Sequence, residues 1–199
     1  MVNIAVVYHS QYGHTKAVAE AVARGAASVA GASVELVSAD DLPAPDKDRK
    51  LGGKWPVLSV ADAIIFGCPT YMGSISAGLK RVFEASSGLW MQQAWKDKVA
   101  AGFTNSGSWH GDKLNTLQDV VHFAMQHGMI WVGLDLLPGA NSSKGSPTDL
   151  NRIGSSTGVM TQSNVDQGPD VAPPENDRKT AERLGQRVAE ATLRWKRGG

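Results

Sequence analysis

At 199 residues the chain has the length of one domain with a single core. Its 20 basic and 19 acidic residues leave a net charge of +1, so no overall field draws it to nucleic acid, to a membrane surface or to a strongly charged partner. The one cysteine, Cys68, excludes an internal disulfide and suits a reducing cytoplasm.

The chain opens Met1-Val2-Asn3-Ile4, without a basic segment leading into a cleavable apolar run. No stretch reaches the roughly 18 uninterrupted apolar residues of a membrane helix, so a cytoplasmic protein is expected. Ile4 to Tyr8 reads as a first strand, apolar throughout as in a sheet covered on both faces. Val18, Val22, Ala26 and Val29 follow at helical spacing, with Gly31 placed as a stop. Val34 to Val37 has the half-buried pattern of an edge strand. Residues 40–59, with Pro43, Pro45, Pro56 and a charged run from Asp46, predict a short helix or none. Ala63 to Phe66 and Val99 to Phe103 read as buried strands. Between them, Ile75, Leu79, Val82 and Phe83 form a helical face. Leu114, Leu117, Val121 and Met125 predict another, ended by Gly128, before a strand over Met129 to Leu134. Residues 136–174 are rich in Gly, Ser, Asn and Pro, and so long a connection is expected to be an ordered flap or an intersubunit arm. Ala181, Leu184, Val188, Ala191 and Trp195 mark a final helix. The alternation predicts a doubly wound α/β domain over residues 1–199: five parallel strands in the order 2-1-3-4-5, with helices on both faces.

In such a sheet a ligand sits beyond the carboxyl ends of the strands. The first of these ends is Ser10-Gln11-Tyr12-Gly13-His14-Thr15, running straight into a helix. A helix N-terminus offers unpaired amides and partial positive charge, Ser10 and Thr15 add hydroxyls, and Gly13 admits close approach. A nucleotide P-loop would need Lys-Ser/Thr after the glycine, and the dinucleotide fingerprint would need three spaced glycines. The loop suits a phosphate monoester. Taken alone, a capped helix start in which Ser10 and Thr15 serve only the backbone explains it equally well.

Two further strand ends carry the same mixture of donors, hydroxyls and flat apolar groups: Pro69-Thr70-Tyr71-Met72-Gly73 and Thr104-Asn105-Ser106-Gly107-Ser108-Trp109. An isoalloxazine ring requires N–H donors at its pyrimidine end and apolar walls for its faces.

Ser10 to Thr15, Pro69 to Gly73, Ser87-Gly88-Leu89-Trp90 and Gln126-His127-Gly128-Met129 resemble the WrbA (tryptophan-repressor-binding-protein) group of flavodoxin-like NAD(P)H:quinone oxidoreductases, over residue 2 to about residue 134 and weakly in the last helix. The resemblance implies FMN, with Ser10 to Thr15 on its phosphate. Pro69 to Gly73 would lie along the ring, and Thr104 to Trp109 at its pyrimidine side. Trp90 would border the exposed ring face, where NADH or NADPH and a quinone alternate, and His127 would close the site from a neighbouring subunit of a homodimer or homotetramer. The chain departs from the group's pattern in Tyr71-Met72, where Arg-Phe is usual, in Leu136 where a tyrosine is usual, in a less glycine-rich third loop and in a shorter 40–59 region.

Plainer roles compete. Cys68 reads as a small buried filler, and nothing in the sequence around it depresses its pKa. The five histidines show no metal-ligand spacing. His127 equally suits a helix C-terminus, interacting with the dipole. Trp55, Trp95, Trp131 and Trp195 are expected in the core or at subunit contacts, Trp90 and Trp109 at the pocket. The functional expectation is an FMN enzyme passing hydride from NAD(P)H to flavin N5 and two electrons to a quinone, with no side chain required as acid or base. A non-enzymatic flavodoxin-type electron carrier and a regulatory or scaffold protein on the same fold are the alternatives. Near-neutral charge weighs against a carrier that relies on electrostatic steering.

Overall fold

The structure is a computed structural model and describes residues 1–198. Its centre is the run of apolar strands that the sequence marks. β1 (Val2–Tyr8) pairs in parallel with β2 (Ala32–Ser38) on one side and β3 (Ala63–Tyr71) on the other. β3 in turn pairs in parallel with β5 (Val99–Ser106), while the two-residue β4 (Ser74–Ile75) folds back antiparallel on the end of β3. The order is β2-β1-β3-β5-β6, the winding expected from the sequence.

The fifth position is where expectation and structure part. Only Ile130–Trp131 (β6) ladders with Val99 and Ala100; farther along β5, Phe103 to Ser106 pair with β7 (Val159–Gln162). The chain after Trp131 is displaced sideways, so that the Leu134 amide donates to the Ser156 carbonyl at 2.9 Å and Trp131 Nε1 to the Thr157 carbonyl at 2.8 Å. Glycines permit the crossing. A Cβ on Gly158 would lie 2.2 Å from the Gly102 carbonyl oxygen, and one on Gly133 2.6 Å from that of Ser156. The 136–174 segment thus supplies a strand of its own.

One face of the sheet is covered by α1 (His14–Ala27) and α6 (Glu175–Arg197). Val18, Val22, Leu184 and Val188 bury against Val6, Ile65 and Phe103. Each such side chain contributes about 1.5–3 kcal/mol by leaving water. The two helices touch through glycines: a Cβ on Gly25 would fall 1.8 Å from the Glu182 carbonyl oxygen, and one on Gly185 1.9 Å from that of Val22.

The other face carries α2 (Trp55–Val60), α3 (Ala77–Ala85), α4 (Ser87–Met91) and α5 (Lys113–Gln126). Between Asp41 and α2 the chain has no other regular element, as its prolines and charges predict. Trp55, Trp95, Phe66, Phe83 and Phe123 form an aromatic core under this layer, with Phe83 and Phe123 stacked at 3.6 Å between centroids. The face expected for α5 is rotated. Leu117 is core, but Leu114 and Met125 are each 47% exposed, and the buried stripe is Leu117, Val120, Phe123 and Ala124. The aromatic Phe123 outcompetes Val121 for the interior. In α6, Ala189 and Thr192 take the burial expected of Ala191 and Trp195, and Trp195 is exposed. Among the described residues no helix is long and apolar enough to cross a membrane.

Candidate functional site

β1 ends at Tyr8 and α1 begins at His14, so the five residues between them must turn sharply. Gly13 makes the turn at φ +87°. Its amide donates to Ser10 Oγ at 3.1 Å, which ties the loop to itself and leaves the first-turn amides of α1 facing outward. Thr15 is buried within that turn. The turn opens into a cleft of about 540 Å³.

The second wall is the end of β3. Thr70 sits in a chain of hydroxyls whose directions are fixed by its last acceptor. Thr104 Oγ1 donates to the Cys68 carbonyl at 2.7 Å, so it accepts from Thr70 at 2.9 Å, and Thr70 accepts from Thr116 at 2.7 Å. Thr70 therefore turns its proton inward and presents only lone-pair density to the cleft. Tyr71, 36% exposed, supplies a flat apolar surface beside it.

The third wall is the end of β5, and here an amide is oriented with equal definition. Asn105 Oδ1 accepts from Thr161 Oγ1 at 2.8 Å and Ser163 Oγ at 3.0 Å, both contributed by β7 and the turn after it. With its oxygen occupied, Asn105 directs Nδ2, a donor, to the cleft that it lines. Among the described residues, neither lysine nor arginine lines this cleft.

The cleft gathers Ser10, Gln11, Tyr12, His14, Thr15, Pro69, Thr70, Tyr71, Asn105, Ser106 and Gly107 of the expected residues. Others stand apart. Thr104 is fully buried behind Thr70, and Met72 points to solvent at φ +49°, followed by Gly73 at +81°. Ser108 lies off the cleft, and the Trp109 ring is covered by the Arg152 guanidinium, 4.3 Å from its centroid. Burial pushes the Cys68 thiol up to about 11, consistent with a filler.

Sequence reading missed the cover. Ser163, Val165 and Gln167 line the cleft from the long segment. His14 Nε2 donates to the Gln167 carbonyl at 2.7 Å, and a Cβ on Gly13 would meet Pro169 Cγ at 2.8 Å. The only available signal was the alternation of Val159 and Thr161, too short to stand out from its Gly/Ser surroundings.

Trp90 and His127 line a separate cavity of about 520 Å³ between α3, α4 and α5. Ser86 Oγ donates to the Phe83 carbonyl at 2.7 Å, so it accepts from His127 Nε2 at 3.0 Å. The proton is thus on Nε2, and Nδ1 is buried without a partner. Burial lowers the His127 pKa to about 4, because the protonated ring would hold its charge out of water.

The residues fit FMN on the structure's own terms. Amides at a helix start meet a phosphate without need of a cation, an oriented donor and acceptor meet a ring edge, and flat side chains meet its faces. Fold and cleft together define a flavodoxin-like domain with its cleft at the topological switch point. A family model for NADPH-dependent FMN reductase matches residues 2–138, and the chain belongs to that family. Flavodoxin FldP of Pseudomonas aeruginosa (strain UCBPP-PA14) is 42% identical over 92% of this chain and 93% of its own length. The NAD(P)H dehydrogenase (quinone) 3 of Rhizobium meliloti is 34% identical over 100% of this chain and 95% of its own. Among solved structures, a flavodoxin, WrbA-like protein from Agrobacterium tumefaciens superposes with a TM-score of 0.70 at 39% identity, covering 98% of this chain and 99% of that one.

Proposed function

We propose that the chain is a single FMN-binding domain acting as an NAD(P)H dehydrogenase (quinone) in the cytoplasm. The observation that carries this is the cleft itself: a helix start opening into a lining without lysine or arginine, an inward-turned Thr70 hydroxyl and an outward-turned Asn105 amide around one volume. The loop from Ser10 to Thr15 holds the phosphate by its amides and hydroxyls. Pro69 to Gly73 borders the ring, and Thr104 to Trp109 forms the pyrimidine side, with Asn105 donating. FMN bound there supplies two-electron transfer between a reduced nicotinamide and a quinone. The protein's part is to orient, to exclude water and to offer hydrogen bonds, and no side chain acts as an obligatory acid or base. Trp90 and His127, apart from the cleft in their own chain, reach a flavin only across a subunit boundary, in a homodimer or homotetramer. Small quinones are the partners, and nucleic acid is not.

A second reading has one observation in its favour, the flavodoxin name of a relative 42% identical over nearly the whole chain. A one-electron carrier predicts no steady-state nicotinamide oxidation. Reconstituting purified protein with FMN, then adding NADH or NADPH followed by benzoquinone, decides between them. The enzyme bleaches with nicotinamide and regains its colour with quinone, turn after turn. A yellow protein that ignores nicotinamide is a carrier, and a colourless one removes both readings.

A further inference from the structure

Lys113 is the first residue of α5 and is fully buried. Its ammonium donates to Ser106 Oγ at 2.8 Å, the Ser108 carbonyl at 2.7 Å and the Trp109 carbonyl at 2.9 Å. All three acceptors are neutral, and all three belong to the loop that forms the cleft's third wall. No carboxylate lies within salt-bridge distance among the described residues. Asp177 on α6 is the anion acting on it at longer range, and Asp177 is itself held by Arg152 at 2.7 Å in a buried pair. His110 and Asp112, beside Lys113 in the chain, are exposed and face each other at 3.4 Å. The buried group Lys113, Arg152 and Asp177 thus carries one net positive charge.

That placement is costly in two ways: a charge is removed from water without an ion partner, and it sits at the positive end of a helix. Burial lowers the pKa of Lys113 to about 8, which still leaves the ammonium protonated at neutral pH. An unneutralised buried cation one hydroxyl away from a ligand cleft is compensated when negative charge arrives in that cleft. Ser106 stands between them: it lines the cleft, accepts from Lys113 and donates its own proton to the Ser108 carbonyl at 2.9 Å, so the ammonium acts on the cleft through space.

We infer that Lys113 is a positioning residue whose buried charge shifts the preference of this site towards reduced FMN over oxidised FMN. The inference rests on the FMN reading above. A hydride equivalent from NAD(P)H enters the ring as two electrons and one proton, and NAD(P)⁺ leaves. The reduced ring then carries one more negative charge than the oxidised ring, and that increment is what the ammonium favours.

The test uses the full chain, with FMN as the probe, in three forms: wild type, Lys113→Met, which removes charge and donors, and Lys113→Gln, which keeps a donor. Fluorescence quenching gives the affinity for oxidised FMN, and spectroelectrochemistry gives the two-electron midpoint. Both variants are expected to hold reduced FMN about tenfold less well relative to oxidised FMN, a midpoint lower by about 30 mV. A midpoint equal to wild type, whether or not oxidised FMN binds more weakly, makes Lys113 a loop brace only and overturns the inference. The reciprocal measurement needs no variant. In wild type, reduction of bound FMN should raise the titration of Lys113 Nζ, followed by NMR, by about one pH unit. Identical titration in the two states overturns the inference equally. A wild type that binds no FMN defeats the FMN reading itself, a failure distinct from either of these.

Discussion

The two helical layers of this molecule are finished to different degrees. On one side α1 and α6 meet backbone to backbone at Gly25 and Gly185, and the residues between them are sealed. On the other side α3, α4 and α5 surround a cavity of about 520 Å³, expose Trp90, Met91, Leu114 and Met125, and bury two polar atoms, His127 Nδ1 and Trp95 Nε1, without partners. Both layers rest on the same sheet and hold comparable apolar cores. The difference teaches where the chain alone is complete: the glycine contact fixes the layer behind the Ser10–Thr15 turn, whereas the aromatic layer leaves surface and cavity over for something else to cover.

That contrast can be attacked directly. The largest effect is expected from Gly185→Val, because its side chain would have to displace the Val22 backbone. A loss of about 3 kcal/mol or more should appear in urea unfolding, with FMN affinity falling in step because α1 follows the turn proposed to hold the phosphate. The aromatic layer should instead respond to acid. The folded-state pKa of His127 is about 4 against an unfolded value near 6.5, so the unfolded chain binds more protons between those limits. Stability is therefore full above about pH 6.5 and falls as pH is lowered towards 4, by about 2–3 kcal/mol from this residue. Chemical denaturation at pH 7 and pH 5 measures it, and His127→Gln should lose most of the dependence. An equal acid response in the variant would place the softness elsewhere. The smallest effect belongs to Met125→Lys on the exposed stripe of the same layer. Monomer stability should stay within about 0.5 kcal/mol, while sedimentation shows any self-association through that face weakened.

Much of the architecture was legible because its signals were long or chemically specific. Uninterrupted apolar runs identified β1, β3 and β5, and Gly13 marked the sharp turn between β1 and α1 that opens the cleft. The failures have physical causes too. The α5 face was read from Leu114 and Met125, but helical spacing alone cannot tell which of two apolar stripes faces inward, and packing around Phe123 decided it. β7 was invisible because four residues without a long apolar run gain their strand only from the exposed edge of β5. Lys113 was passed over because nothing in Asp112-Lys113-Leu114 reveals that the lysine turns back beneath its own loop. Local pattern reports the elements; the pairing of distant pieces reports the site.

The split at the fifth ladder position carries a consequence for how the chain withstands cutting. β6 and β7 are each hydrogen-bonded to β5, and the exposed residues 140–144 lie between them in sequence without belonging to either. A protease that severs the chain there leaves one fragment ending on the sheet and another beginning beside it, each still anchored. The nicked molecule should travel as a single body until denatured, and the cleft at the strand ends, assembled from both fragments, should survive the break.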